Sequence, residues 1–128
     1  VKDVRTYMAR VKALVVPLRS GGGTRLKILE GLSFGVPTVS TSVGAEGLDL
    51  VDGEQILLGD TPARFADHVV SVLTDAALQQ RLRLAGRQVV EERYSWQAVG
   101  RELRACLQPR LATLPLCDNA LHVAAEIP

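Results

Sequence analysis

The sequence predicts an α/β fold in which helices flank a parallel sheet and a helical segment forms the C-terminal end. Short apolar runs alternate with helical periodicity in residues 4–58, which is the pattern of strand–helix–strand units. From Thr61 onward the apolar residues show only helical spacing. With 128 residues, 47% of them hydrophobic, the chain can form one domain with a core or a piece of a larger protein.

The composition excludes several classes of function. A formal net charge of +1 gives no electrostatic signal for DNA or RNA, so we expect no nucleic-acid partner. No apolar stretch approaches the ~20 residues needed to span a bilayer, and the charged first ten residues lack a signal-peptide core. Cys106 and Cys117 fit neither a disulfide framework nor a metal site, and we interpret them as reduced side chains of a cytoplasmic protein.

The first half of the chain begins with a short helix at residues 4–11, which Asp3 is placed to cap. The apolar run at residues 13–18 has the length of a strand and no polar face, which is typical of a strand buried inside a parallel sheet. A glycine loop, residues 19–24, separates this strand from a helix at residues 25–34. The apolar residues of that helix recur at helical spacing: Leu26, Ile28, Leu29 and Leu32.

Two further strands follow. Gly35 is a suitable stop for the helix, and residues 36–41 form the second predicted strand, with Pro37 near its start, where a missing N–H does least harm. A third short strand is predicted at residues 55–58. Three strands are fewer than the five or six of a doubly wound sheet, so we interpret the chain as the second half of a Rossmann-like domain.

The second half of the chain is predicted to be helical. Thr61 and Asp75 are placed to cap the first two helices. Ser95 is placed to cap a third helix, which ends at Pro109. One apolar face of this third helix is formed by Trp96, Val99, Leu103 and Leu107. We expect Trp96 to anchor the core.

The most informative segment is the glycine loop. It contains three glycines and a threonine in succession: Gly21, Gly22, Gly23 and Thr24. Glycines let a ligand approach the backbone, and the free N–H groups and dipole of a helix N-terminus attract an anion. Arg19, Arg25 and Lys27 add positive charge. The segment predicts a phosphate site at the carboxyl edge of the sheet, although a tight turn with solvated basic residues explains the local pattern equally well.

Two common phosphate motifs do not fit this segment. A Walker loop needs a glycine before its lysine and a hydroxyl residue after it, and Lys27 has neither. A dinucleotide fingerprint needs a third glycine where Leu26 stands, and no acidic residue ends the following strand to hold a ribose. No cluster of His, Cys, Asp and Glu has metal-ligand spacing, so we predict no metal site.

Glu30 is the next candidate for a ligand-binding residue, because it lies in a helical phase separate from that of Leu26 and Leu29. A carboxylate can accept hydrogen bonds from two vicinal hydroxyls at once, and a ribose presents such a pair. The alternative is a surface Glu paired with Lys27 three residues earlier, a pair worth only tenths of a kcal/mol. Spacing alone favours this surface pair.

Residues 11–41, followed by residues 43–48, resemble the C-terminal domain of glycosyltransferases that use nucleotide sugars and have the two-domain GT-B architecture. The match is to their large retaining group, glycosyl transferase group 1. Its most specific part is the run from Gly21 to Thr41, which is similar to the family's donor-site segment. The run Tyr94–Trp96 is similar to the aromatic–Ser/Thr–Trp entry to the family's closing helix. The resemblance covers most of residues 3–107.

The resemblance implies that residues 1–108 are the C-terminal half of a donor-binding domain and that residues 109–128 are a tail. The donor would be a nucleoside diphosphate sugar, and its sugar would pass to an acceptor hydroxyl in bacterial polysaccharide or lipopolysaccharide biosynthesis. The resemblance also implies catalysis without a metal ion or a further cofactor.

The resemblance assigns roles residue by residue. Gly21 to Thr24 match the loop whose backbone faces the donor diphosphate and sugar. Glu30 matches the second Glu of the family's Glu-x7-Glu motif, which binds the ribose hydroxyls. The first Glu of that motif would fall at Gly22, so a carboxylate expected near the transferred sugar is absent. Arg25 and Lys27 could face the diphosphate in compensation. Glu46 matches a loop near the rim of the donor site, where a turn or capping role fits equally well.

Parts of the family's machinery lie outside this sequence. The acceptor-binding N-terminal domain and the basic residues that hold the diphosphate from an earlier strand are absent, so we assign no catalytic residue and expect the fragment to be inactive alone. The missing N-terminal domain is therefore an expected partner. The arginines from Arg81 to Arg110 are interpreted as a solvated helix face, and the alternative is that they meet anionic lipid at the inner face of the membrane. That positive charge is diluted by Glu91, Glu92 and Glu102.

Other functions stay open at this point. A nucleotide-sugar epimerase shares the architecture and would release free sugar, whereas a sugar phosphorylase would need a cofactor lysine, for which there is no signal. From another class, a non-catalytic α/β partner-binding module fits the elements. A receiver-like module would need clustered acidic residues at the strand ends, which here carry Gly, Ser and Thr. His68 is predicted to be a partly exposed structural histidine.

Overall fold

A computed structural model of the chain describes residues 3–111, with side chains for residues 3–109. The predicted tail, residues 109–128, therefore lies outside the described residues except at its start. Contacts divide the chain into two units, one up to Ser95 and one from Trp96 onward.

The first unit contains a three-stranded parallel sheet. The strands are β1 (Leu14–Val16), β2 (Thr38–Ser40) and β3 (Leu57–Leu58). They lie side by side in that order, and Val16, Ser40 and Leu58 are in register at their carboxyl ends. Each strand is shorter than the sequence predicts, but their number, order along the chain and parallel direction confirm the predicted partial Rossmann-like sheet.

Helices alternate with the strands and then follow them. The helices are α1 (Arg5–Met8), α2 (Leu26–Ser33), α3 (Ser42–Ala45), α4 (Pro62–Thr74), α5 (Ala76–Val89) and α6 (Trp96–Leu111), with a π-helical turn (Val90–Tyr94) between the last two. Within the first unit, α2 packs against α5 and the π-helical turn, whereas α4 packs against β2 and α5. Successive strand residues point to opposite faces of a sheet, so both faces of this sheet need a helical cover.

The core has two clusters, one on each face of the sheet. The first consists of Val16, Ile28, Leu32, Ala45 and Ile56. The second consists of Val39, Leu57, Val72 and Leu82. β2 is buried at every residue, as expected for a central parallel strand. The prediction that the first strand is buried on both faces is wrong at Val15, which is 45% exposed because β1 is an edge strand of the described sheet.

Two of the predicted helix caps form, at Thr61 and at Asp75. The Thr61 hydroxyl oxygen accepts a hydrogen bond from the Arg64 N–H at 3.3 Å at the start of α4. The Asp75 carboxylate accepts two such bonds at the start of α5. α1 is shorter than predicted and ends at Met8, because the Arg10 N–H donates to the Tyr7 carbonyl three residues earlier and tightens the turn.

The π-helical turn was not predicted. Val89 and Tyr94 are five residues apart, and five is the hydrogen-bond spacing of a π-helix. The extra residue in this turn directs Arg93 and Tyr94 toward Asp49, which pairs with the Arg93 guanidinium and donates its N–H to the Tyr94 hydroxyl at 2.8 Å.

Two expectations for α6 are wrong. Trp96 is 89% exposed and anchors no core. A helical side chain covers the turn before its own Cα, and Trp96, as the first residue of α6, has no earlier turn of that helix to cover. Pro109 does not end the helix, which continues to Leu111. Pro109 lacks one backbone N–H, and only two helical residues follow it, so little of the helix depends on the turn that it weakens.

The close approach of α4 to the end of β3 predicts the effect of a small substitution. A Cβ at Gly59 would lie 2.8 Å from the backbone N and Cα of Phe65, whereas a Cβ at Gly100 in α6 would meet nothing within 4 Å. Because backbone atoms cannot rotate away as the end of a side chain can, Gly59→Ala should lower the free energy of unfolding by about 1–3 kcal/mol through overpacking. Gly100→Ala, the control, should raise it slightly through helix propensity. Urea unfolding of both variants measures this, and equal stability of the two would contradict the packing of α4 against the end of β3.

Candidate functional site

The carboxyl ends of the strands meet at one edge of the sheet, where Thr41 ties the following loops together. Its N–H donates to the Val16 carbonyl at 3.3 Å, and its hydroxyl donates to the Leu18 carbonyl. The hydroxyl oxygen also accepts from the Gly44 N–H at 2.9 Å, which caps α3, a short helix that the sequence did not predict. The exit from β1 and the start of α3 are therefore held by one side chain.

The glycine loop is open along its whole length at this edge. Gly21 has φ 139° and Gly23 has φ 112°, conformations that side chains rarely adopt. A Cβ added at Gly21, Gly22 or Gly23 would meet nothing within 4 Å. Gly21 and Gly23 are thus needed for the path of the backbone, and the space beside all three glycines is free for a ligand.

The helix that the loop enters has an uncapped start. Arg25 occupies the N-cap position of α2, and no described side chain accepts a hydrogen bond there. The Ile28 N–H already donates to the Arg25 carbonyl at 3.0 Å, so the amides before it are the ones left for an acceptor outside the helix. α3, α4 and α5, by contrast, are each capped by a side chain.

Arg25 does not project into solvent. Its side chain is 8% exposed, and its Nη2 donates to the Gly21 carbonyl at 3.2 Å and pairs with Glu46 Oε2 at 3.4 Å. Its Nε is buried without an acceptor in the described part of the chain. The guanidinium therefore lies under the glycine loop and links it to the loop after α3.

Lys27 and Glu30 are both exposed on α2. The ion pair between them that the spacing favours does not form, and no side chain among residues 3–109 bonds to the Glu30 carboxylate. Glu30 lies one helical turn after Leu26, on the solvent face of the helix. Both charged groups are free to meet a ligand.

A groove of about 450 Å³ runs beside the glycine loop. It is lined by Gly23, Thr24, Arg25, Leu26, Leu29, Glu46, Gly47 and Leu48. The fold thus brings three predicted site residues together with Glu46. The other four, Gly21, Gly22, Lys27 and Glu30, do not line this groove.

Glu46 is the residue whose role the sequence left undecided. Its loop is held in place beyond the groove, because the Asp49 N–H donates to the Tyr94 hydroxyl at 2.8 Å and the Asp49 carboxylate pairs with Arg93. Leu48 also packs against the core cluster around α2. The available sequence signal was that Glu46 follows the second strand closely and so must lie at the same edge as the glycine loop.

A second tie joins the loop after β3 to α3. Asp60 Oδ1 accepts from the Ser42 N–H at 2.7 Å, and Oδ2 accepts from the Ser42 hydroxyl at 2.7 Å. The Gly59 N–H extends the ladder by donating to the Ser40 carbonyl at 2.9 Å. The backbone bond from Ser42, and then its hydroxyl bond, hold the pKa of the Asp60 carboxyl below its ordinary value.

Other chemistry is sparse in the described part of the chain. Residues 3–111 contain no group of three or more His, Cys, Asp or Glu side chains that could hold a metal ion. His68 is partly exposed and accepts a hydrogen bond from Arg64 Nε at 3.2 Å, in agreement with its predicted structural role. Within the same residues no helix is both long and apolar enough to cross a membrane.

The Asp60–Ser42 tie makes a pH-dependent contribution to stability. Because the pKa of folded Asp60 is lowered from 3.8, the contribution is present above that value and is lost as the pH falls through the folded pKa. Asp60→Ala should therefore lower the urea midpoint at neutral pH, and its difference from wild type should shrink in acid. Asp67→Ala, at another exposed aspartate, is the control. A difference that stays constant with pH would contradict the tie.

The chain is similar in sequence to glycosyltransferases. The family described as Glycosyl transferases group 1 matches residues 1–75. An uncharacterized 44.6 kDa protein in the cps region of Klebsiella pneumoniae is 26% identical over 83 residues, which are 65% of this chain and 21% of that protein. An uncharacterized glycosyltransferase of Methanocaldococcus jannaschii is 27% identical over 97 residues, which are 74% of this chain and 27% of that protein. No solved structure matches significantly.

The chain thus spans only a minor part of the length of either relative. The family match, by contrast, covers more than half of the chain and includes the sheet, the glycine loop and α2. This chain belongs to the glycosyl transferases group 1 family.

Proposed function

We propose that this chain binds the donor, a nucleoside diphosphate sugar, in a retaining glycosyltransferase of GT-B architecture. The observation that carries the proposal is the open glycine loop that enters the uncapped start of α2 at the carboxyl edge of the sheet. In open α/β sheets ligands bind at that edge. Free backbone N–H groups at a helix N-terminus favour a phosphate there.

The diphosphate would lie against the glycine loop and the first turn of α2. Lys27, exposed and without a partner in the described part of the chain, would approach it from the helix surface. Arg25 would add positive charge from beneath the loop, where its guanidinium is almost fully buried. As the sugar leaves, the diphosphate gains negative charge, and N–H groups already pointing at it stabilise that charge without reorganisation. We propose that these groups supply the positive field for the reaction in place of a metal ion.

Glu30 would bind the ribose. Its carboxylate is exposed and unpaired in the described residues, and Glu30 lies one helical turn after Leu26 and directly after Leu29, which both line the groove. An ionised carboxylate accepts hydrogen bonds only, and its two oxygens can take one hydroxyl each from a vicinal pair.

The remainder of the reaction would belong to residues outside this chain. The acceptor would be bound by an N-terminal domain, which fits the fact that both relatives are much longer than the chain. A role in polysaccharide biosynthesis is supported by the Klebsiella relative, whose gene lies in a cps region. A cytoplasmic location with peripheral contact to the inner face of the membrane stays a prediction.

The role of Glu30 predicts a preference for ribose over deoxyribose. The full-length protein should be titrated with UDP, GDP, ADP and CDP, and the nucleotide that binds best should be compared with its 2′-deoxy form. In wild type we expect the ribonucleotide to bind about tenfold more tightly than its 2′-deoxy form, a difference of about 1.4 kcal/mol. In Glu30→Ala we expect the two forms to bind with the same affinity. Glu102→Ala, another exposed helical glutamate, should keep the preference. An unchanged preference in Glu30→Ala would exclude this role.

The role of Lys27 predicts an effect confined to the phosphates. Lys27→Ala should weaken binding of the nucleoside diphosphate about three- to tenfold, since a charge-assisted hydrogen bond contributes about 1 kcal/mol or more. Binding of the nucleoside without phosphates should not change. Lys12→Ala, an exposed lysine at the opposite edge of the sheet, is the control. If Lys12 and Lys27 variants behave alike by calorimetry, Lys27 does not contact the diphosphate.

A further inference from the structure

An exposed carboxylate is held beside the glycine loop by a guanidinium that is almost fully buried. Glu46 has 74% of its side chain exposed, yet its Oε2 lies 3.4 Å from Arg25 Nη2, and the Arg25 side chain is only 8% exposed. An exposed glutamate normally samples many rotamers, and this contact restricts those of Glu46. The carboxylate is therefore both accessible and oriented.

The buried Arg25 guanidinium favours the ion pair with Glu46, because it has few other acceptors. Besides Glu46, the guanidinium has one acceptor in the described residues, the Gly21 carbonyl, and its Nε has none. A buried cation with so few acceptors would be costly without a nearby negative charge. Glu46 provides the negative charge that offsets the buried Arg25 cation.

The pairing leaves most of the Glu46 carboxylate unused. A carboxylate offers about four lone-pair positions, and Arg25 contacts only Oε2, at the long end of the hydrogen-bond range. No other described side chain bonds to Glu46. Oε1 and part of Oε2 therefore remain available to hydroxyl donors in the groove.

The groove around Glu46 has the chemistry that a sugar ring requires. Leu26, Leu29 and Leu48 give it an apolar wall suited to C–H groups, and Thr24 and Glu46 give it polar groups suited to hydroxyls. Its volume of about 450 Å³ lies within the range of small-molecule sites. It adjoins Gly23, so a ligand attached to a diphosphate on the glycine loop would reach it directly.

We propose that Glu46 binds hydroxyls of the donor's sugar and that Arg25 is the positioning residue that holds its carboxylate toward the groove. This inference rests on the proposed donor binding and adds to it the residue that recognises the sugar. A site built around a hydrogen-bond acceptor discriminates strongly against a ligand that lacks the matching hydroxyl. Glu46 therefore sets which sugars the protein accepts.

The test separates the sugar from the nucleotide. The affinity of the full-length protein is measured for three pairs of ligands, each a nucleoside diphosphate with its nucleotide sugar: UDP with UDP-glucose, GDP with GDP-mannose, and ADP with ADP-glucose. The pair that binds most tightly is then used to compare the variants. Glu46→Gln should leave the affinity for the nucleoside diphosphate unchanged. It should lower the relative affinity, which is the affinity for the nucleotide sugar divided by that for the nucleoside diphosphate, about tenfold. Glu91→Gln is the matched control, because it also removes an exposed glutamate paired with an arginine, Arg87.

The positioning role of Arg25 is tested by conservative rescue. Arg25→Met should lower the relative affinity for the nucleotide sugar by as much as Glu46→Gln does. Because the two residues act as one unit, the double variant should have the same relative affinity as either single variant. Arg25→Lys should restore part of it, since the cation beside Glu46 is kept. Melting temperatures measured in parallel identify a purely structural effect, which would lower stability and leave the relative affinity unchanged.

The outcomes distinguish failure of the sugar-binding role of Glu46 from failure of the proposed donor binding. If Glu46→Gln weakens nucleotide and nucleotide sugar equally, or changes neither, Glu46 does not contact the sugar and the inference is wrong. Donor binding still stands in that case if Glu30→Ala abolishes the preference for ribose. If wild type binds no nucleoside diphosphate at all, the proposed function itself fails.

Discussion

The parallel register of β1, β2 and β3 is the constraint on which the candidate site depends. It ends all three strands at one edge, so that Val16, Ser40 and Leu58 lie in one row and the loops after them are neighbours. Thr41 then fixes the exit from β1 to the start of α3. A shift in the register would separate the glycine loop from the loop that carries Glu46.

Arg25 connects the two loops that the sheet brings together. It joins the carbonyl of Gly21 to the carboxylate of Glu46, two groups that belong to different loops, through a guanidinium that solvent hardly reaches. The glycine loop can therefore be open to a ligand and still have a defined path. Low exposure of the cation also reduces the screening of its field at the loop surface.

Local features of the fold could be predicted from the sequence, and the long-range contacts that build the site could not. The caps at Thr61 and Asp75 involve neighbours three residues away or fewer, so a short sequence window contains the whole interaction. The Arg25–Glu46 pair joins residues 21 positions apart. The contact between Asp49 and Tyr94 spans 45 positions and depends on a π-helical turn. Such contacts exist only once the sheet has formed.

The central claim is that the glycine loop and the first turn of α2 form the diphosphate site. Hydrogen–deuterium exchange of the full-length protein, with and without the nucleoside diphosphate that binds best, tests it most directly. The account predicts slower exchange on binding in peptides that cover residues 19–30, because their free N–H groups gain acceptors. Protection confined to other segments, with residues 19–30 unchanged, would contradict it.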